Sequence, residues 1–539
     1  MDPLTAFTPR RPATRQTEPA RPEQVRNAAG GYVFALDDAA ALRRFLVLGV
    51  DGGTYYASPA ELTKDNAKLL MRMLAEQPRT VLQVVTDVNL KGAAVRRNAT
   101  LFALAALLAV PDADVRADAA RALPQFVRTG TDLFLLAGYA QQFRGWGRGL
   151  RRAFANWYTA SEVDALAYQL IKYRQRNGWT HRDVLRKAHP VTADPERAAL
   201  FDWAVGRTPE VELPRFVQGF MKVQAAAPQD VPALVREYRL PWEALPDSAL
   251  TLPATWEAIL DLGMPMHALI RQLPRLTNLG LLPSFGGRTQ DVIARLTAGE
   301  NLARARVHPA TLLIAGRTYG SGRSVRGKSA WVPNQRIIDA LDEAFYTAFE
   351  SWEPSGARQL LALDVSGSMT ASIGGMNLSA REAAAAMALV TAAKEPAYEI
   401  VGFTAAAEFS DWSSWNRGPV IRRLAISPRQ RLTDAAGVVS GLPFGPTDVA
   451  APIMWALEKG LAVDAFVTYT DNETWAGPIH VHEALRRYRD ATGIPARLIA
   501  VGLTATRYTV GDPTDPGTLN VAGFDPSVPA LISEFTKGL

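Results

Sequence analysis

Five oxygen-bearing side chains toward the C-terminus have the types and spacing to hold a divalent cation. Asp364, Ser366 and Ser368 form D-x-S-x-S, which lets one loop aim three alternate oxygens at one point. Thr447 follows in FGPTDVA, and Asp471 in TYTDNET. Two carboxylates and three hydroxyls are all hard donors. They suit an octahedral Mg²⁺, with Mn²⁺ or Ca²⁺ as alternatives, and waters complete the shell. One position would stay open for an outside carboxylate or phosphate.

Other chemistry at the same loop fits less well. Ser366 or Ser368 as a nucleophile would need a base, and D-V-S-G-S-M lacks the G-x-S-x-G turn. His480 and His482 stand at no spacing that supports them as that base. Asp364 as a phosphoryl acceptor would draw distal acids from DNET, but no lysine is placed to complete that set. A nuclease with two metals needs a larger carboxylate set than this.

A second chemistry lies in the first part of the chain. Residues 144–187 hold ten Lys and Arg against three acids. Arg144, Arg148, Arg151 and Arg152 recur at helical spacing. Lys172 and Arg176 are expected one turn apart on a helix, which breaks at Asn177–Gly178. Beyond the break, WTHRDVLRKAHP puts Arg182, Arg186 and His189 on one helical face. Lys187 joins this run. A second cluster, within residues 301–328, holds Arg304, Arg306, Arg317, Arg323, Arg326 and Lys328 with no acid. Its segment YGSGRSVRGK reads as an exposed loop. Cations without acidic partners suit phosphate, and two such clusters point toward nucleic acid.

These residues need elements to hold them. From about Leu42 to Leu312 the hydrophobic period is helical. LFALAALLAV, DADVRADAARALPQFV and EVDALAYQLIKYRQR are Ala/Leu-rich segments joined by short connectors. They fit either an α-solenoid of stacked helix pairs or an irregular all-α domain. The pattern changes near Gly356. Strands are expected at ARQLLALDV, YEIVGF, DAFVTYT and ARLIAVGL, with helices such as REAAAAMALVTAAK between them. Alternating strand and helix implies a doubly wound parallel sheet, with ligands at the carboxyl ends of its strands. Asp364 and Asp471 stand at two such ends.

Composition agrees with two domains. The 539 residues carry a formal net charge of +6, from 59 basic and 53 acidic side chains. Residues 1–350 hold 44 basic and 34 acidic side chains, and residues 351–539 hold 15 and 19, so only the first part is basic. There is no cysteine, which excludes disulfides, thiolate metal sites and a cysteine nucleophile, and fits a reducing compartment. No run approaches ~20 apolar residues, so no membrane span is expected. Residues 1–23, rich in Pro, Thr and Arg, read as a disordered tail rather than a secretory signal. The cytoplasm is the expected location.

The motifs carry two resemblances. Asp364, Ser366, Ser368, Thr447 and Asp471, in that order, resemble the metal-ion-dependent adhesion site of von Willebrand factor A domains. More broadly, QVRNAAGGYVFAL, LRRFLVLGVDGGTYY, YRQRNGWTHRDVLRKAHP, ARVHPATLLIAGRTYGSG, LDEAFYTAFE and FVTYTDNETWAG resemble the Ro ribonucleoprotein autoantigen family. The similarity runs from about Gln24 to the C-terminus. An alanine-rich, cysteine-free chain looks like a bacterial member.

The resemblance implies a multidomain protein: a TROVE module over 24–355, built as an all-α ring of HEAT-like helical repeats, then an α/β A domain over 356–539. It implies small noncoding Y RNAs on an outer basic surface and single-stranded 3′ ends of defective structured RNAs in a central hole. It further implies partnership with a 3′→5′ exoribonuclease such as polynucleotide phosphorylase, in RNA quality control, rRNA maturation or stress recovery. The protein would be mainly monomeric, without membrane partners. Lys172, Arg176 and His189 match the family's RNA-contacting segment, flanked by Arg182, Arg186 and Lys187. The adhesion-site residues match too; animal members can carry DVSASM where this chain has DVSGSM. Three functions compete. An RNA-binding protein without catalysis is favoured. An A-domain adhesion or chaperone-accessory module and a metal-dependent phosphatase or nuclease are the rivals.

Overall fold

A computed structural model describes residues 13–49, 59–324, 328–349, 352–373, 376–405, 421–427, 430–440 and 445–538. The motif GGTYY and Arg326 of the second basic cluster lie outside the described residues. The strands, in chain order, are β1 (Gln24–Arg26), β2 (Tyr32–Ala35), β3 (Gln175–Arg176), β4 (Trp179–Thr180), β5 (Gln359–Asp364), β6 (Tyr398–Phe403), β7 (Ile421–Arg423), β8 (Ala465–Thr470), β9 (Arg497–Gly502), β10 (Tyr508–Thr509) and β11 (Thr518–Ala522). The chain forms two compact units. One comprises the residues up to Ala67 together with those from Phe349 onward, and the other runs from Lys68 to Ala348.

The first unit is built on a six-stranded sheet of order β11-β9-β8-β5-β6-β7. All neighbours are parallel except β7, which closes one edge antiparallel to β6. Every residue of β5 and β8 is buried, as central strands covered on both faces must be. One face packs Leu360, Ala362, Phe466 and Leu498 against the helices Ala451–Glu458 and Val481–Thr492. Helix Ala380–Ala392 lies on β5 and β8, and its alanines permit the close approach. A Ser379–Glu382 capping box starts this helix. The four expected strands are present as β5, β6, β8 and β9. The sheet also gains β7 and β11, whose sequences IRR and TLNVA carry no long apolar run.

The segment expected as a tail differs. Residues 1–12 lie outside the described residues, but 13–23 are packed into the first unit. Gln16 is fully buried. Its Nε2 donates to Asp448 Oδ1 (2.8 Å) and Ile479 O (2.9 Å), while Oε1 accepts from Thr474 Oγ1 and Gly477 N. A polar side chain thus does what an apolar anchor usually does, by satisfying all its hydrogen-bond groups. Further on, β1 and β2 form a three-stranded sheet with β10. The expected helical region beginning at residue 24 therefore shares its start with the A-domain unit.

The second unit is helical throughout its described residues, apart from the β3–β4 hairpin and short 3₁₀ turns. Expected segments appear as the helices Asn98–Leu107, Ala113–Phe126 and Val163–Lys172. The succession returns on itself, because Arg306 Nη1 donates to Asn89 O at 3.4 Å. No described helix is long and apolar enough to cross a membrane.

Candidate metal centre and nucleic-acid interface

Parallel pairing of β5 with β8 brings their carboxyl ends side by side, with Leu363 opposite Tyr469. Asp364 follows Leu363 directly, Asp471 stands two residues beyond Tyr469, and both are fully buried. Thr470 Oγ1 donates to Asp364 Oδ2 at 2.8 Å, and Ser366 N donates to Asp364 Oδ1 at 2.9 Å. The Ser366 and Ser368 hydroxyls stand 3.0 Å apart. The Thr447 loop is tied in through its carbonyl, which accepts from Trp475 N and Ala476 N. Ser366, Ser368 and Thr447 are all buried.

The electrostatics of this cluster favour a cation. Burial pushes the Asp364 carboxyl up, and hydrogen bonds from Ser366 and Thr470 only partly oppose it. Asp471 is raised by burial first, then by the charges of Asp364 and Glu473. Asp471 Oδ1 accepts from Glu473 N at 3.0 Å, while the buried Oδ2 has no hydrogen-bond partner. An orphaned carboxylate oxygen beside a second carboxylate is an unmet acceptor, which a divalent ion would meet. The donor set therefore fits a hard cation.

Arg176, Arg182, Arg186, Lys187 and His189 of the helical unit sit on a short hairpin and the helix that follows it. Asn177 (φ 53°) and Gly178 (φ 76°) form the two-residue turn of the β3–β4 hairpin, as expected for Asn-Gly. Thr180 then caps helix His181–Ala188, and its hydroxyl donates to Asp183 Oδ2 at 2.7 Å. His181, at the first helical position, is buried against Phe134 and Trp157 and hydrogen-bonds the Tyr158 hydroxyl at 2.8 Å. Burial pushes its pKa down to about 3, so it is neutral at pH 7. With this end anchored, Arg182 and Arg186 are exposed, as is His189, which ends the helix at φ 48°. Lys187 lies over the rings of Trp146 (5.7 Å) and Trp179 (6.0 Å).

Two profiles of known domains match this chain. The TROVE domain matches residues 25–207 and 212–318, and the Ro60 vWA domain matches residues 358–536. The chain belongs to the Ro ribonucleoprotein (Ro60) family. The RNA-binding protein RO60 of Deinococcus radiodurans is 41% identical over 531 residues, covering 97% of both chains. The RNA-binding protein RO60 of Caenorhabditis elegans is 35% identical over 605 residues, covering 97% of this chain and 92% of that one. The crystal structure of the Deinococcus radiodurans Ro (RSR) protein matches with a TM-score of 0.69 at 39% identity, covering 93% of this chain and all of that one.

Within this Ro chain the expected site residues fare differently. Asp364 ends β5, Asp471 follows β8, and Ser366, Ser368 and Thr447 lie buried on loops. Arg182, Arg186, Lys187 and His189 share one helix and its C-cap, and Arg176 joins them from β3. Arg176 is therefore not on a helix with Lys172, because the Asn-Gly turn needs a strand on each side. Lys172 ends helix Val163–Lys172 and is not an unpaired cation: its Nζ lies 2.8 Å from Glu243 Oε1 and 2.6 Å from the Tyr168 hydroxyl. Burial works against its charge, but these two partners prevail and raise its pKa.

Sequence reading missed Arg381, which is buried beneath the D-x-S-x-S loop. It donates to Val365 O and to Ser366 O (3.2 Å), holding the D-x-S-x-S backbone. A lone arginine in the alanine run REAAAAM was the available signal. Glu473 of DNET was also missed. It accepts from Ala29 N and the Tyr508 hydroxyl, so it fastens the N-terminal segment.

Proposed function

We propose that this chain binds RNA through the exposed cations of the β3–β4 hairpin and helix His181–Ala188, and catalyses nothing itself. The observation that carries this reading is that Arg176 on β3 and Arg182 and Arg186 on the capped helix that follows are exposed, with no carboxylate partner among the described residues. Guanidinium groups held this way suit phosphate. Two relatives that match nearly the whole chain are named RNA-binding proteins. The RNA is a small structured noncoding RNA of the Y type, and single-stranded 3′ ends of misfolded RNA are a second ligand. Both belong to RNA quality control, rRNA maturation or stress response in the cytoplasm, alongside a 3′→5′ exoribonuclease such as polynucleotide phosphorylase. The protein acts mainly as a monomer.

Asp364, Ser366, Ser368, Thr447 and Asp471 would hold the cation, Mg²⁺ first. It neutralises two buried carboxylates and offers an outside acidic group a coordination position. RNA contact is assigned to the other unit.

The test is a filter-binding titration with a hairpin RNA over a range of salt. Replacing Arg176, Arg182 and Arg186 by Gln should weaken binding and flatten the slope of log K against log salt by about 0.9 for each phosphate no longer neutralised. Unchanged affinity and slope would remove the assignment.

A further inference from the structure

The helical unit contains a cleft of about 580 Å³ whose chemistry is unlike that of the basic helix. Its volume falls within the range of small-molecule sites. Helix Met266–Asn278 supplies Arg271 and Arg275, one turn apart on one face and both exposed. Neither guanidinium has a carboxylate partner among the described residues. Arg271 Nε donates to His267 O (3.1 Å), and Arg275 lies 5.7 Å from the Trp256 ring. Among the described residues, no acidic side chain lines the cleft.

The rest of the wall mixes the apolar Pro274, Ala330 and Trp331 with polar side chains. Trp331 is nearly buried, and its Nε1 donates to Tyr319 O at 2.8 Å. Tyr319 stacks on it at 6.3 Å, so the indole is a fixed plane. Around it stand Asn278, Thr318 and Ser324. The Ser324 hydroxyl is buried and has no hydrogen-bond partner. A buried hydroxyl without a partner at the cleft wall is an unmet donor, which a ligand's polar edge would meet.

We propose that this cleft is a nucleotide subsite: Arg271 and Arg275 take a phosphate, Trp331 backs the base, and Asn278, Thr318 and Ser324 meet the base edge. Paired guanidinium groups match phosphate oxygens. A fixed aromatic wall and hydroxyl and amide groups match an unstacked base. An acidic peptide would satisfy the arginines but not the indole plane. A base inside a duplex cannot reach such a cleft, so the occupant belongs to a single strand. This extends the RNA-binding reading and rests on it.

The test uses the full chain. Wild type, Arg271→Gln/Arg275→Gln and the charge-keeping Arg271→Lys/Arg275→Lys are titrated with a short single-stranded RNA, a blunt hairpin and adenosine monophosphate. A strand carrying 4-thiouridine is crosslinked, and the modified peptide is located by mass spectrometry. The Gln pair should lose about tenfold in single-strand affinity while hairpin affinity holds, and the Lys pair should recover part of the loss. Crosslinks should fall on the peptides bearing Asn278 or Trp331. Unchanged single-strand affinity, an equal loss for the hairpin, or crosslinks confined elsewhere would overturn the subsite. If wild type binds neither RNA, the RNA-binding reading fails by itself. The mononucleotide then decides the cleft: binding that the Gln pair abolishes supports the subsite, and no binding overturns it.

Discussion

His181 links a single buried side chain to the acid response of the helical unit. Its pKa is about 3 in the folded protein, pushed down by burial, against about 6.5 unfolded. The unfolded chain therefore takes up the proton first. Stability is full above the unfolded value and falls as pH drops from about 6.5 toward 3. At pH 5 the cost from this one group is about 2 kcal/mol. Urea unfolding of the full chain at pH 7 and pH 5 should show a smaller difference in His181→Phe than in wild type. Equal differences would mean that His181 does not carry the linkage. Gly130 lies beneath the same ring. A Cβ there would sit 2.6 Å from Tyr173 Cβ and 2.9 Å from His181 Nε2. Gly130→Ala should cost about 1–3 kcal/mol by overpacking, read as a lower urea midpoint. Neither role was legible in the sequence. A histidine in HRDVLRKAHP looks like one more cation until its aromatic neighbours from other helices are known. Lys172 misleads for the same reason, since Glu243 reaches it from far along the chain. Asp364 and Asp471 were legible because strand ends and hydroxyl spacing are local facts.

At the scale of elements, the sequence is clearest where burial is complete. The runs LLALD, YEIVGF, AFVTYT and RLIAVG became β5, β6, β8 and β9 because central parallel strands need apolar residues on both faces. β10 has two residues and pairs with β2 from near the other end of the chain, so no local pattern announces it. The stretch YRQR failed differently. Its helical propensity runs on from the preceding helix, but Asn177–Gly178 imposes a hairpin that stops it. The capping box after this hairpin fixes where the basic helix starts. Thr180→Ala removes the acceptor for Asp183 N and should cost about 1 kcal/mol. RNA affinity should fall less than in the triple Arg variant, because the charges remain. A filter-binding loss as large as that of the triple variant would mean that position, not charge, governs binding.

At the scale of the whole molecule, the A-domain unit is completed by residues that precede the helical unit in sequence. Val33 and Phe34 are almost fully buried, and each such side chain contributes about 1.5–3 kcal/mol. Gln16 adds a satisfied polar anchor beside Asp448. Removal of residues 1–37 should therefore destabilise the A-domain unit by several kcal/mol, a large share of an ordinary folding free energy. For this reason the proposed metal site is best tested in the full chain rather than in residues 356–539 alone. Without an ion, Asp364 and Asp471 are driven toward their neutral forms by burial and mutual repulsion. An ion bound only by the folded state adds RT ln(1 + [L]/Kd), about 2.7 kcal/mol at a hundredfold excess over Kd. Mg²⁺ should raise the melting temperature of the full chain, EDTA should reverse the rise, and Asp364→Ala should abolish it. Hairpin RNA affinity should stay within about twofold of wild type in Asp364→Ala, because the proposed phosphate contacts lie in the other unit. A melting curve indifferent to Mg²⁺ and EDTA would mean that the five oxygens hold no ion. A large loss of RNA affinity would mean that the A-domain unit shares in RNA binding, and the division of labour between the two units would have to be redrawn.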